Sequence, residues 1–197
     1  MRRILNSTIL TVVAAFALTA CGGGDSGESV GDGGANFNDA DVTFAQSMIP
    51  HHEQAVEMAK MAKKHAATPE VKNLADEIES AQGPEIATLK GWLKDWGKEE
   101  TSGDDSMGGM DHGSDDSGMK DMPGMMSDGD MAGLDKATGA RFDQMFLTMM
   151  IEHHTGAIEM AKTEQSKGKN ADAKALAEQI EAAQTTEIAD MKKLLTS

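Results

Sequence analysis

"MIPHHEQAVEMAK" runs from Met48 to Lys60, and "MIEHHTGAIEMAK" runs from Met150 to Lys162, 102 residues later. Each stretch places a histidine pair one turn after a methionine, in a pattern of helical period. The offset holds in both directions without a gap: Phe44 answers Phe146, Leu74 answers Leu176, and "IESAQGPEIATLK" from Ile78 answers "IEAAQTTEIADMK" from Ile180. The chain is a duplicated unit, and each unit carries two helical stretches.

In the first unit (38–96) a helix is expected from Asn38 to His65, capped by Asn38 or Asp39, and a second from Thr68 to Trp96. Thr68 supplies a capping hydroxyl just before Pro69 at the first helical position. The second unit (135–197) predicts helices from Asp135 to Lys167, ended by Gly168, and from Asn170 to Leu195. Two such hairpins make an all-α four-helix bundle. Pro50 and Pro84 fall inside helices, where each removes a backbone hydrogen bond and can kink the axis. Their counterparts Glu152 and Thr186 show that the architecture does not need the kinks.

At about 100° per residue, with Met48 at zero, Phe44, His51, His52, Ala55, Ala59 and Ala62 all fall within about 60° of one line. The same spacing groups Met150, His153, His154 and Ala157. In the partner helices the apolar stripes are interrupted by Gln82 and Glu85, and by Gln184 and Glu187. All these polar residues lie near mid-helix, so they meet at one level. The sequence thus predicts a polar layer across the bundle centre, built from four imidazoles, two glutamates, two glutamines and the thioethers of Met48 and Met150.

Burying such groups costs free energy unless they pair or bind a metal. One reading is a hydrogen-bond network that fixes helix register. The other is a metal site, since imidazole is the commonest side-chain ligand. Met58 and Met160, at the stripe edge, read equally as gap-filling core. His65 answers Lys167 and reads as a surface histidine.

Between the units, residues 97–134 hold ten acids, two lysines and seven methionines among many glycines and serines. This composition reads as a disordered insert without a core of its own. Its thioethers recur three apart, at Met107, Met110, Met119, Met122 and Met125, with Met126 and His112 beside them. Thioether sulfur is soft and selects Cu(I) over hard cations, with Ag(I) following. Zn(II) through histidine and carboxylate would suit the central layer but not the insert. A low-complexity tract or a sacrificial oxidant sink is the rival reading of these methionines.

The N-terminus reads as a lipoprotein signal. Arg2 and Arg3 precede an apolar run ending in Leu18-Thr19-Ala20-Cys21, too short to favour a permanent span. Cleavage after residue 20 would leave Cys21 for lipidation and residues 21–37 as a flexible tether. The alternatives are an uncleaved anchor, or a freely secreted chain in which Cys21 is incidental. Each puts the domain outside the cytoplasm, in the cell envelope, with outer-membrane or periplasmic placement if the host has two membranes. Cys21 is the only cysteine, so no disulfide forms within the chain. The net charge of −15 becomes −17 once the leader takes away its two arginines, which argues against nucleic acid as a partner.

The paired His-His motifs, followed in each unit by "AQGPEI" or "AQTTEI", resemble the domain of unknown function 305 family, a ferritin-like group of exported bacterial proteins. The resemblance spans residues 38–197 apart from the insert. It implies a ferritin-like four-helix bundle and, through members associated with copper binding and copper or silver tolerance, metal ligands at His51, His52, His153 and His154. Met48, Met150, Met58 and Met160 accompany them as thioethers.

Two other classes compete with a metal binder. A ferritin-like oxidase or di-iron enzyme needs a Glu-x-x-His on each of two helices. Here Met48, Ile49, Met150 and Ile151 stand three residues before the four histidines. A metal-free structural or partner-binding bundle is the second. No hydrolase constellation, phosphate loop or dinucleotide fingerprint is present, so no enzymatic activity is expected. The reading is a membrane-tethered protein that sequesters Cu(I) or passes it to an unidentified delivery partner. The sequence leaves homo-oligomerisation open.

Overall fold

The computed structural model describes residues 36–100 and 122–196, which belong to one compact unit, Ala35–Ser197. Cys21, the leader, nearly all of the tether, and Met107, Met110, His112 and Met119 lie outside the described residues. Five helices form among the described residues: α1 (Asp39–His65), α2 (Pro69–Asp95), α3 (Asp128–Lys136), α4 (Gly139–Lys167) and α5 (Ala171–Leu194). α1 and α2 make one hairpin, α4 and α5 the other, and α1 packs on α4 between them. None of these helices is long and apolar enough to cross a membrane.

The helix ends follow from local chemistry. Asn38 Oδ1 accepts from the Ala40 and Asp41 amides at 2.9 and 3.2 Å, and the Asp41 carboxylate accepts from the Asn38 amide, closing a capping box. Thr68 and Asn170 cap α2 and α5. Acidic residues in the first turn of α1 and basic residues in its last turn complement the helix dipole. α1 runs unbroken through Pro50 and α2 through Pro84.

Asp41 and Asp143, themselves 102 residues apart, tie the two halves together. Asp143 accepts from the Ala67 and Thr68 amides and from the Thr68 hydroxyl at 2.8–3.0 Å, so it holds the turn between α1 and α2. Asp41 does the same for the turn between α4 and α5, accepting from Lys169 and Asn170. Each unit thus caps the hairpin turn of the other. Ala66 bridges Gly139, and the Asn38 side-chain amide donates to the Lys167 carbonyl at 2.9 Å, which makes α1 and α4 antiparallel.

Two expectations about the insert need correction. Residues 135–138 do not begin the long third helix: it starts at Gly139, whose φ of +65° only glycine adopts easily, and residues 128–136 form the separate helix α3. Nor is the whole of 97–134 without a core. Ser127 caps α3 through a capping box with Asp130, Leu134 is fully buried, and Met126 is nearly so. These few apolar side chains in a polar tract can be buried because α1 and α4 already supply a surface for them.

The apolar core falls into two clusters. One gathers Met58, Leu74, Ile78, Phe142, Phe146, Met150 and Met191, and the other Phe44, Met48, Leu89, Leu93, Ala157 and Ile180. Burying each large side chain contributes about 1.5–3 kcal/mol. On every long helix the changeover occurs at the same polar positions: His51 and His52, Gln82, His153 and His154, and Gln184.

Candidate metal centre

The layer between the clusters is shut off from solvent. All four histidines have no solvent exposure, and Gln82 and Gln184 are buried. Antiparallel packing of α1 on α4 brings His51 and His153 together with ring centroids 3.7 Å apart, tilted by 40°. His153 and His154 lie 6.3 Å apart, centroid to centroid.

Three imidazoles have a fixed acceptor. His52 Nε2–H donates to Glu85 Oε2 at 2.7 Å, and its counterpart His154 donates to Glu187 Oε2 at 2.6 Å. His51 Nε2 lies 3.1 Å from the carbonyl of Pro123, an oxygen that can only accept. A neutral imidazole that gives its proton through Nε2 keeps a lone pair on Nδ1. The Nδ1 atoms of all four histidines are buried without a partner among the described residues, and His153 lacks one on both ring nitrogens. Neither polar atom of the Gln82 side chain is bonded, nor is Gln184 Oε1.

Burial holds His51 and His153 in the neutral form that ligates metal. It pushes His51 down to about 3, reinforced by the charges His52 and His154 would carry and opposed by the Pro123 carbonyl. His153 is held well below the usual histidine range by burial first and then by His51, His154 and His52, opposed by the nearby His51 backbone, which is not placed to make a hydrogen bond.

The thioethers divide. Met48, Met150 and Met58 are fully buried in the apolar clusters beside the layer. Met160 is half-buried and lines a groove of about 440 Å³ between α1 and α4, with Phe44, Pro123, Glu159 and Glu164. Met122 and Met125 are half-buried next to Pro123, while Met126 packs into the core. His65 sits 3.6 Å from Asp135 and against Phe142, away from the layer. Among the described residues no group of three His, Cys, Asp or Glu side chains is arranged to hold a metal ion, so imidazole alone does not complete a cage.

Three features were not anticipated from the sequence. The Pro123 carbonyl reaches His51 because Gly156 has no side chain: a Cβ there would stand 1.9 Å from that oxygen. Gln54, the counterpart of Gly156, clasps Met126 by donating to its carbonyl and accepting from its amide, both at 2.8 Å. Glu164 is buried beside Asp41, and its carboxyl is raised to about 8, by burial first and then by that neighbour. At Asp41 burial acts upward, but the neighbouring Glu164 carboxyl and hydrogen bonds from the Asn170, Asn38 and Lys169 amides outweigh it and hold the group below the usual range. A glycine in mid-helix and a glutamate on the inward stripe were the available signals for Gly156 and Glu164.

Fold and layer together define a ferritin-like four-helix bundle with buried imidazoles at its centre. The chain belongs to the family described as Domain of unknown function (DUF305), which it matches over residues 41–195. Among solved structures it is similar to a DUF305 protein from Streptomyces coelicolor, with 33% identity, 80% of this chain and 92% of that one covered, and a TM-score of 0.69. A DUF305 fragment from Deinococcus radiodurans shows 27% identity over 81% of this chain and 97% of its own, with a TM-score of 0.68. CopM in its Cu(I)-bound form shows 30% identity over 79% and 95%, with a TM-score of 0.62; CopM structures with Cu(II) and with Ag are also similar. No curated protein matches the chain.

Proposed function

We propose that this protein binds Cu(I), and Ag(I) in its place, outside the cytoplasm, and holds it for sequestration or transfer rather than performing catalysis. The observation that carries the reading is the set of four fully buried imidazoles whose Nδ1 atoms lack a partner among the described residues. A register-fixing network would satisfy its members, and leaving such groups unpaired costs about 1–3 kcal/mol each. A bound cation would complete them. The similarity to CopM, solved with Cu(I), Cu(II) and Ag, supports the choice of metal.

The ion is cargo. His51, His52 and His154 would offer Nδ1, His153 either nitrogen, and Met48 or Met150 a thioether from the adjoining turn. Glu85 and Glu187 hold the far side of two rings and orient them, an arrangement that raises ligand basicity. A small donor set of nitrogen and sulfur suits a d10 monovalent cation, which accepts few ligands; Zn(II) prefers four. Because both central glutamates are engaged by imidazole, a carboxylate-rich di-iron site finds little support. Lipid on Cys21 would hold the bundle at the membrane, and Met107, Met110, Met119, Met122 and Met125 would capture ions for it.

Equilibrium dialysis against Cu(I) under reducing conditions tests the proposal. Stoichiometric uptake should disappear when all four histidines become alanine. Undiminished uptake by that variant would move binding to the methionine-rich insert, and no uptake by the unaltered protein would leave a metal-free bundle.

A further inference from the structure

His51 is fully buried, yet the residue bonded to it, Pro123, is exposed. Among the described residues, the cover over this edge of the layer is therefore one stretch of backbone, residues 122–126. It turns tightly, with the Met125 amide donating to the Met122 carbonyl at 3.2 Å and Gly124 at φ +78°. Its fit on α4 requires two glycines: a Cβ at Gly124 would stand 2.7 Å from the Glu152 carbonyl, and one at Gly156 would stand 1.9 Å from that of Pro123. On the other side Gln54 pins it through both bonds to Met126, whose side chain is anchored in the core.

We propose that the Met122–Met126 strap gates the histidine layer, with Gln54 and Gly156 as the positioning residues that keep it closed over His51. The inference rests on the metal-binding reading above. The strap engages His51 through Nε2 and leaves Nδ1 to the interior, so it can stay shut over a bound ion and must lift for one to pass. It also fixes the His51 tautomer, as Glu85 and Glu187 fix those of His52 and His154. The duplication accounts for the asymmetry: the insert joins the units once, and among the described residues no second strap meets His153 Nε2.

The test uses the full chain, Gln54→Ala and Gly156→Ala. Gln54 is half-buried, so its truncation removes the clasp without opening the core. Two readouts are needed: long-range proton–nitrogen NMR of the His51 ring in the metal-free protein, and the rate at which Cu(I) passes to bathocuproine disulfonate. The expected result is a His51 ring no longer locked with its proton on Nε2, and transfer faster by tenfold or more at unchanged Cu(I) stoichiometry. An unchanged His51 spectrum in Gln54→Ala would overturn the positioning role. A freed ring with transfer within twofold of the unaltered protein would overturn the gate. Failure of the unaltered protein to bind Cu(I) at all would remove the metal reading itself, and the gate with it.

Discussion

Two carboxylates stand behind two of the central imidazoles at 2.6–2.7 Å, each about one-fifth exposed while the ring it serves is fully buried. The glutamate can stay hydrated on one side and polarise a buried imidazole on the other. Replacing Glu187 by alanine removes the acceptor that sets the His154 tautomer, and affinity for Cu(I) is expected to fall about 10- to 100-fold. Glu187→Gln, whose amide oxygen can still accept from Nε2–H, should lose less. A competition titration against a Cu(I) chelator distinguishes the two variants, and equal affinity in both would show that the acceptor does not matter. The inward position of the histidines was legible from their spacing alone. That Nδ1 is the free nitrogen was not, because a tautomer depends on partners from other helices and, for His51, from a segment 72 residues away.

At the scale of elements, the crossed caps explain how two copies of one hairpin lock into a single bundle. Asp143 holds three donors in the other unit's turn, so Asp143→Ala leaves two backbone amides and a hydroxyl with no carboxylate to satisfy them. The expected loss is about 2–3 kcal/mol, read as a lower urea midpoint at unchanged slope. Asp41→Ala should cost a comparable amount. Asp41 lies at the start of α1 and Asp143, on α4, beside the turn that follows its end, roughly 36 Å away at about 1.5 Å per residue, so the double variant should be additive. A coupling above about 1 kcal/mol would mean that the caps report one shared structure. Caps at Asn38, Thr68 and Asn170 were readable locally, since a helix start is written within a few residues. Asp41 and Asp143 were readable only through the 102-residue repeat. α3 and the strap are not legible in the sequence because their burial depends on a surface that exists only after α1 and α4 have paired.

Across the whole molecule, the buried polar layer and the Glu164 carboxyl make stability depend on pH in two opposite ways. His51 and His153 stay neutral when folded but protonate near 6.5 when unfolded, so the unfolded chain takes up more protons and stability falls as pH drops below about 6.5. Glu164 has the reverse sign. Its folded value near 8 lies above the ordinary 4.5, so its contribution is fully present below about 4.5 and is lost as pH rises towards 8. Between pH 4.5 and 6.5 two histidines oppose one glutamate, and above 6.5 the glutamate acts alone, which places the optimum of the metal-free protein near pH 6.5. Glu164→Gln keeps the shape and a donor for Asp41 but cannot ionise. Its melting temperature should match that of the unaltered protein to within a few degrees at pH 5 and exceed it by about 4 °C or more at pH 8.5. Melting curves recorded from pH 5 to 8.5 check this: an equally steep alkaline decline in both proteins would mean that the Asp41–Glu164 contact does not hold its proton, and that repulsion among the many surface acids governs the alkaline side instead.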